Sequence, residues 1–242
     1  MAFQLSEVTS DGDFDDLIPL LWRSYATPRI TFLPLLFPAE NDSPEAHEKQ
    51  IAQCKAAMIH LHHADPSSHW LKVTDTATGS LVAGCRWHTH QKDPYSNAPD
   101  KPFVVTSWPE GDRRKYATMC IGDIILPRKT RYRKPHLNKG LQICFTDPAY
   151  RGRGAGKLLL EWGINKADEM GVESFVEGSE IGMHLYKKFG FVVVSKEQLD
   201  TSVANPSEEW QDMVMRFPPP PCYWMWRPIG GQLEEGKTAM PW

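Results

Sequence analysis

Residues 151–157 read Arg-Gly-Arg-Gly-Ala-Gly-Lys, between an apolar run that stops at Asp147-Pro148 and a long stretch of good helix formers. Glycines at 152, 154 and 156 let the backbone take positive φ and come close to a ligand. A helix starting directly behind them presents unsatisfied N–H groups and the positive end of its dipole, which suits a phosphate-type anion. A strand, a glycine loop and a helix in that order constrain the fold to the α/β class. The downstream segments agree. A strand at 141–146 is followed by a helix over 154–170 ended by Gly171, a strand at 172–176, a helix over 180–189 ended by Gly190, and a buried strand at 191–194. Strands alternating with helices require at least one parallel crossover.

The upstream half is less regular. Residues 3–8 alternate weakly, as a short strand would. Phe14, Leu17, Ile18 and Leu21 recur at helical spacing, with Asp11 or Asp13 as N-cap and Pro28 closing the helix. Residues 30–38 are apolar but proline-broken and predict a loop. Ser43-Pro44-Glu45 reads as N-cap, first helical position and acidic first turn, and Ile51, Cys54, Met58 and Leu61 form the buried stripe behind it. Strands at 69–74 and 81–89 flank the turn signal Thr76-Ala77-Thr78-Gly79. Residues 91–137, rich in prolines and charges, predict an insertion with a short helix within 116–126 and a solvated basic loop at 128–134. Residues 211–217 alternate, predicting a final strand, and 217–242 read as a Pro/Trp-rich extension of a single domain spanning 1–242.

Composition removes several function classes. A net charge of −3 gives no general attraction to nucleic acid or acidic membranes. Five scattered cysteines without a CxxC pair argue against a disulfide framework or a zinc ribbon. No basic leader precedes an apolar run at the N-terminus, and no apolar stretch approaches the ~20 residues that span a bilayer. The expectation is a soluble protein of the cytoplasm or nucleus. His60, His62, His63, His88 and His90 lack a completing carboxylate or cysteine, so no metal is expected. Nine tryptophans predict large aromatic surfaces in the core or around a pocket.

Register decides which anion the loop suits. A P-loop started at Gly152 requires glycine where Lys157 stands, and one aligned on Gly156-Lys157 requires a hydroxyl where Leu158 stands. A dinucleotide fingerprint requires its third glycine, again at Lys157, and belongs in a first βα unit. The pattern that fits is [Q/R]-x-x-G-x-[G/A], filled by Arg151, Gly154 and Gly156, and it resembles the acyl-CoA loop of the GNAT superfamily of N-acetyltransferases. A second phrase of that family, LYxKxGF, is similar to Leu185-Tyr186-Lys187-Lys188-Phe189-Gly190-Phe191, its tyrosine 35 residues beyond Arg151. The resemblance covers about 141–194. It implies a mixed central sheet whose parallel strands splay apart, flanked by helices, with acetyl-CoA in the gap. By the same resemblance the cosubstrate is held by the edge of Cys144, Phe145 and Thr146, by the loop of Arg151, Gly152, Arg153, Gly154, Ala155, Gly156 and Lys157, and by Tyr186. Ser179 stands where the family often carries Asn.

The resemblance also implies acetyl transfer to a primary amine, with Tyr186 as general acid for the CoA thiolate. The base is not fixed by the residues: Glu177, at a strand's C-terminal end, Asp123 and His136 are candidates, and a water relay is another. The long insertion and aromatic tail suggest an enclosed pocket, favouring a small-molecule amine over a protein lysine or N-terminus. A non-catalytic acyl-CoA sensor is the reading from another class. The remaining expectations are a monomer or homodimer, with no nucleic-acid or membrane partner and no metal.

Overall fold

The turn signal at 76–79 joins two long strands in the computed structural model, which describes residues 2–97, 102–234 and 236–242, with the backbone alone at 139–142. These strands are β2 (Ser68–Asp75) and β3 (Leu81–His90), and β1 (Phe3–Glu7) pairs antiparallel on the outer side of β2. β4 (His136–Thr146) follows antiparallel to β3, and β5 (Glu173–Gly178) runs parallel to β4. β6 (Val192–Glu197) and β7 (Cys222–Arg227) complete a seven-stranded sheet of order β1-β2-β3-β4-β5-β7-β6.

The helices divide between the two faces. α6 (Ala155–Met170) and α7 (Glu180–Lys187) cover one face, where Leu159, Leu160 and Ala167 pack against Val73, Ala83, Trp87 and Val176. The other face carries α1 (Phe14–Ala26), α2 (Phe32–Leu36), α3 (Pro44–Ala64), α4 (Asp112–Ile125), α5 (Arg128–Arg131) and α8 (Glu208–Arg216). Phe14, Leu17, Leu21, Trp70, Tyr116 and Phe145 lie in its core. The predicted cap of α3 forms: Ser43 Oγ accepts from the Ala46 N–H at 3.1 Å, with Pro44 behind it. Cys54 and Met58 are buried as expected, whereas Leu61 is 43% exposed. α6 crosses Trp87 so closely that a Cβ at Gly163 would lie 2.4 Å from the indole, and the Trp87 Nε1–H bonds the Leu159 carbonyl at 3.1 Å. A side chain at 163 would push the helix off the sheet.

Several sequence expectations change. Residues 211–217 are not a strand: α8 occupies 208–216, with Ser207 Oγ accepting from the Trp210 N–H at 3.2 Å. Over seven residues the alternation of Met213, Met215 and Phe217 competed with a helical period that buries Trp210, Met213 and Phe217 and leaves Met215 75% exposed. The segment after 217 is no appendage, because β7 sits between β5 and β6 with every residue buried. A strand covered on both faces reads as a continuous apolar run rather than an alternation. Residues 30–38 include a short turn of helix, α2. β4 begins at His136, so the expected insertion ends in its first residues. The basic run is not a solvated loop: Arg128 pairs with Glu177, Arg131 with Glu197, Arg133 with Asp93 and Lys134 with Glu173. Trp70, Trp87, Trp224 and Trp226 are core residues. No disulfide joins the five cysteines, and no helix among the described residues is long and apolar enough to cross a membrane.

The first rungs of β4 carry a histidine cluster. His90 faces His136 across the β3–β4 ladder, with ring centroids 4.9 Å apart, and His88 stacks on His90 at 5.9 Å. Burial, then the neighbouring His88, pushes His90 down to about 4; burial likewise holds His136 at about 4. In the unfolded chain both titrate near 6.5. Between pH 6.5 and 4 the unfolded state therefore binds protons that the folded state refuses. Stability is unaffected above 6.5 and is lost as pH falls toward 4, by about 2–4 kcal/mol for the two together. The Tm should drop by several degrees between pH 6.5 and 4.5 in wild type and by less in His90→Gln. A flat Tm across that window would show that these rings are solvated.

Candidate functional site

β4 and β5 share three parallel rungs, from His136 against Glu173 to Asn138 against Phe175. Beyond them the strands part. On the β3 side Cys85 faces Cys144 while Trp87 faces Lys139, so β4 fits extra residues into an interval that β3 crosses in two. Such a bulge bends the strand that carries it. On the far side Val176 to Gly178 of β5 stay paired with β7. The two strands thus open a wedge, a gap of about 750 Å³ between Cys144–Thr146 on one wall and Glu177, Ser179 and Tyr186 on the other.

The glycine loop closes one end of this gap. Gly152 and Gly154 hold φ of 73° and 101°, and nothing lies within 4 Å of where their Cβ atoms would be, so the turn presents open backbone. α6 begins at Ala155; the Lys157 N–H turns back to the Gly154 carbonyl at 3.1 Å, and the N–H groups before it precede the first helical acceptor. A helix of 16 residues directs its positive dipole end to this loop. Arg151 lines the gap with its guanidinium tied to backbone carbonyls. Its guanidinium donates to the carbonyls of Ser24 at 2.7 Å, Thr146 at 3.3 Å and Thr27, stapling the loop to the end of α1 and to β4. Lys157 and Lys188 are the positively charged lining residues with ammonium heads, and Lys157 sits 3.3 Å from Glu161.

Eleven of the twelve residues expected at the cosubstrate line the gap: Cys144, Phe145, Thr146, Arg151, Gly152, Gly154, Ala155, Gly156, Lys157, Ser179 and Tyr186. Arg153 is not in the lining; its guanidinium lies over the Tyr150 ring at 5.1 Å. The Ser179 hydroxyl caps α7, accepting from the Gly182 N–H at 3.1 Å. Tyr186 is 5% exposed and rests on Gly178, where a Cβ would lie 3.3 Å from its ring, so the β5–α7 turn holds it at the edge of the gap.

The three base candidates part company. Glu177 lines the gap but is clamped: Arg128 donates to both carboxylate oxygens at 2.6 and 2.7 Å, and the Tyr132 hydroxyl donates at 2.9 Å. Its side chain is fully buried. Asp123 lies on α4 outside the lining, with its carboxyl held above the ordinary value by burial and by Glu197. His136 belongs to the histidine cluster at the closed end of the β4–β5 pair, bonded to Lys134 O at 2.6 Å and Asn138 at 3.0 Å. Tyr25, Tyr150, His184 and Lys188 also line the gap. Lys188 belongs to the tyrosine–lysine phrase and was within reach of the sequence; Tyr25 lies on α1, where only tertiary packing brings it to β4. Among the described residues no cluster of three His, Cys, Asp or Glu side chains could hold a metal ion.

Comparison with known proteins points one way. Residues 119–193 match the family described as acetyltransferase (GNAT) domain. Mycothiol acetyltransferase of Propionibacterium freudenreichii subsp. shermanii is 44% identical over 55 residues, which is 21% of this chain and 18% of that protein. Among solved structures, arylalkylamine N-acetyltransferase 2 from Aedes aegypti superposes with a TM-score of 0.58 at 13% identity, covering 94% of this chain and 99% of the other. The Drosophila melanogaster polyamine N-acetyltransferase does so with 0.56 at 15% identity, covering 93% and 98%. At such identities the likeness is one of fold. Residues 119–193, with the glycine loop and the splayed strand pair in one place, are therefore similar to a GNAT acetyltransferase domain.

Proposed function

We propose that the protein moves an acetyl group from acetyl-CoA to the primary amine of a small molecule. The observation that carries this reading is the gap itself. It has an opened strand edge on one wall, a positive-φ glycine turn with a helix N-terminus at one end, and a buried tyrosine on the opposite wall. The residues fit the cosubstrate. Amides of 152–157 suit a diphosphate, and the edge at Cys144–Thr146 suits a pantetheine arm added like a strand. Acetyl-CoA, when bound, supplies the thioester that is cleaved.

The amine nitrogen attacks the thioester carbonyl; the C–N bond forms, the C–S bond breaks, and the departing sulfur needs a proton. We assign that proton to the Tyr186 hydroxyl, which is replenished from water. An alkyl ammonium with pKa near ~10.4 must first lose its own proton, at a cost of roughly 4–5 kcal/mol at pH 7. Glu177 is the one carboxylate in the described lining, and Arg128 and Tyr132 already hold it with three hydrogen bonds. Water in the gap therefore takes the amine proton in this scheme. Tyr186→Phe should lower kcat by about 10²-fold or more, the range of a single positioned acid, and leave the Kd for acetyl-CoA within a few-fold. Loss of acetyl-CoA binding instead would assign the ring to packing and remove the acid role.

A further inference from the structure

A second compartment of about 280 Å³ adjoins the gap. Pro28, Ile30, Ser179 and Ile181 line both, so the two meet where the α1–α2 connection faces the β5–α7 turn. The walls of the second space come from α2, α4 and the proline segment 219–221 that leads into β7. They are pinned from outside. The Trp108 indole N–H bonds the Leu35 carbonyl at 2.8 Å, and the Thr31 hydroxyl bonds the Pro218 carbonyl at 3.2 Å. Phe32, Ile121 and Ile124 are among the side chains that face it. Apart from two cysteines, its ionisable lining residues are Arg29 and Glu180, both exposed and of opposite sign.

We infer that this compartment receives the side group of an apolar primary monoamine, an aryl or short alkyl group, and that the protein selects such amines over polyamines and guanidinium-bearing diamines. The inference rests on the acetyl-transfer reading of the gap and names the acceptor class for it. Size permits it: an apolar cavity of about 150 Å³ accepts benzene, so 280 Å³ holds one ring with a short linker. Charge selects it. A second cationic group carried into these walls would lose its water, and the one carboxylate among the described lining residues is the exposed Glu180, offset in charge by Arg29. Burial pushes the Cys120 thiol up to about 11, so that wall stays neutral at physiological pH. An apolar group gains by leaving water for the same walls.

The test compares 2-phenylethylamine and n-hexylamine with agmatine and spermidine as acceptors for acetyl-CoA. It uses the full chain as wild type, Ile124→Asp and Ile181→Asp. Ile181 is 61% exposed, so its variant folds even if Ile124→Asp does not. The CoA-induced shift in Tm is recorded for every protein, separately from turnover. Expected are KM values at least tenfold lower for the apolar monoamines, raised tenfold or more by either aspartate, with the CoA shift unchanged in Ile124→Asp, whose side chain lines the second compartment and not the gap. Preference for agmatine or spermidine, or apolar KM values that neither aspartate moves, would overturn the inference while leaving acetyl transfer standing. A preference for octanoyl-CoA over acetyl-CoA that Ile124→Asp removes would overturn it too, by giving the compartment to the acyl chain. Absence of any CoA shift in wild type would instead sink the reading of the gap on which the inference rests.

Discussion

Gly154→Asp is expected to abolish the stabilisation of this protein by CoA without unfolding it. Gly154 has φ of 101°, a region that costs an L-residue about 1–2 kcal/mol, and no atom lies within 4 Å of the site of its Cβ. The variant therefore folds with a modest strain, and its carboxylate stands on the open side of the turn. There it opposes the negative charge of a diphosphate at the start of α6 and screens the amides meant to hold it. Wild type at a CoA concentration of about 100 Kd should gain roughly 2.7 kcal/mol, several degrees of Tm for a chain of this size. Gly154→Asp should gain nothing, whereas Gly154→Ala, which carries the strain without the charge, should keep part of the shift. An undiminished CoA shift in Gly154→Asp would place the diphosphate elsewhere.

The second large effect concerns the clamp on Glu177. Arg128, with 8% of its side chain exposed, and the fully buried Glu177 form a two-pronged ion pair, and Tyr132 adds a third hydrogen bond. Removing one partner leaves the other charge buried without compensation, so Arg128→Ala or Glu177→Ala should each cost about 3–5 kcal/mol in urea unfolding at pH 7. The double substitution Arg128→Ala with Glu177→Ala should cost clearly less than the sum of the singles, because no charge is then left stranded. Single losses under about 1 kcal/mol, or strict additivity, would mean that water reaches the pair. The same clamp bears on the proposal that Glu177 is not the base. Glu177→Gln should lose stability while keeping kcat within a few-fold; a loss of kcat beyond a hundredfold would restore Glu177 as the base.

The site was legible in the sequence to the extent that its parts are local. The glycine loop, the helix behind it and the tyrosine phrase are short-range signals, and the structure gathers them around one gap. Caps were legible for the same reason, as at Ser43, where the hydrogen bond spans three residues. What could not be read depends on partners distant in the chain. β7 is a strand because β5 and β6 are on either side of it, and its sequence, Cys-Tyr-Trp-Met-Trp-Arg, carries no alternation to announce that. Arg151 matched the loop pattern, yet its guanidinium serves α1, more than 120 residues upstream. Arg128 stood in what resembled a solvated basic loop, and only the fold brings it to Glu177, 49 residues away. The seven residues 211–217 suit both periods; Ser207 followed by two glutamates is the signal that decides for α8.

The central claim is that the wedge between β4 and β5 holds a CoA ester with its diphosphate on the glycine loop. A crystal structure grown with acetyl-CoA tests it directly. The account predicts diphosphate oxygens within hydrogen-bond distance of amides from 152 to 157, the pantetheine arm along Cys144–Thr146, and the thioester sulfur beside the Tyr186 hydroxyl. A well-ordered acetyl-CoA bound away from this wedge, or a wedge left empty at saturating ligand, would contradict it.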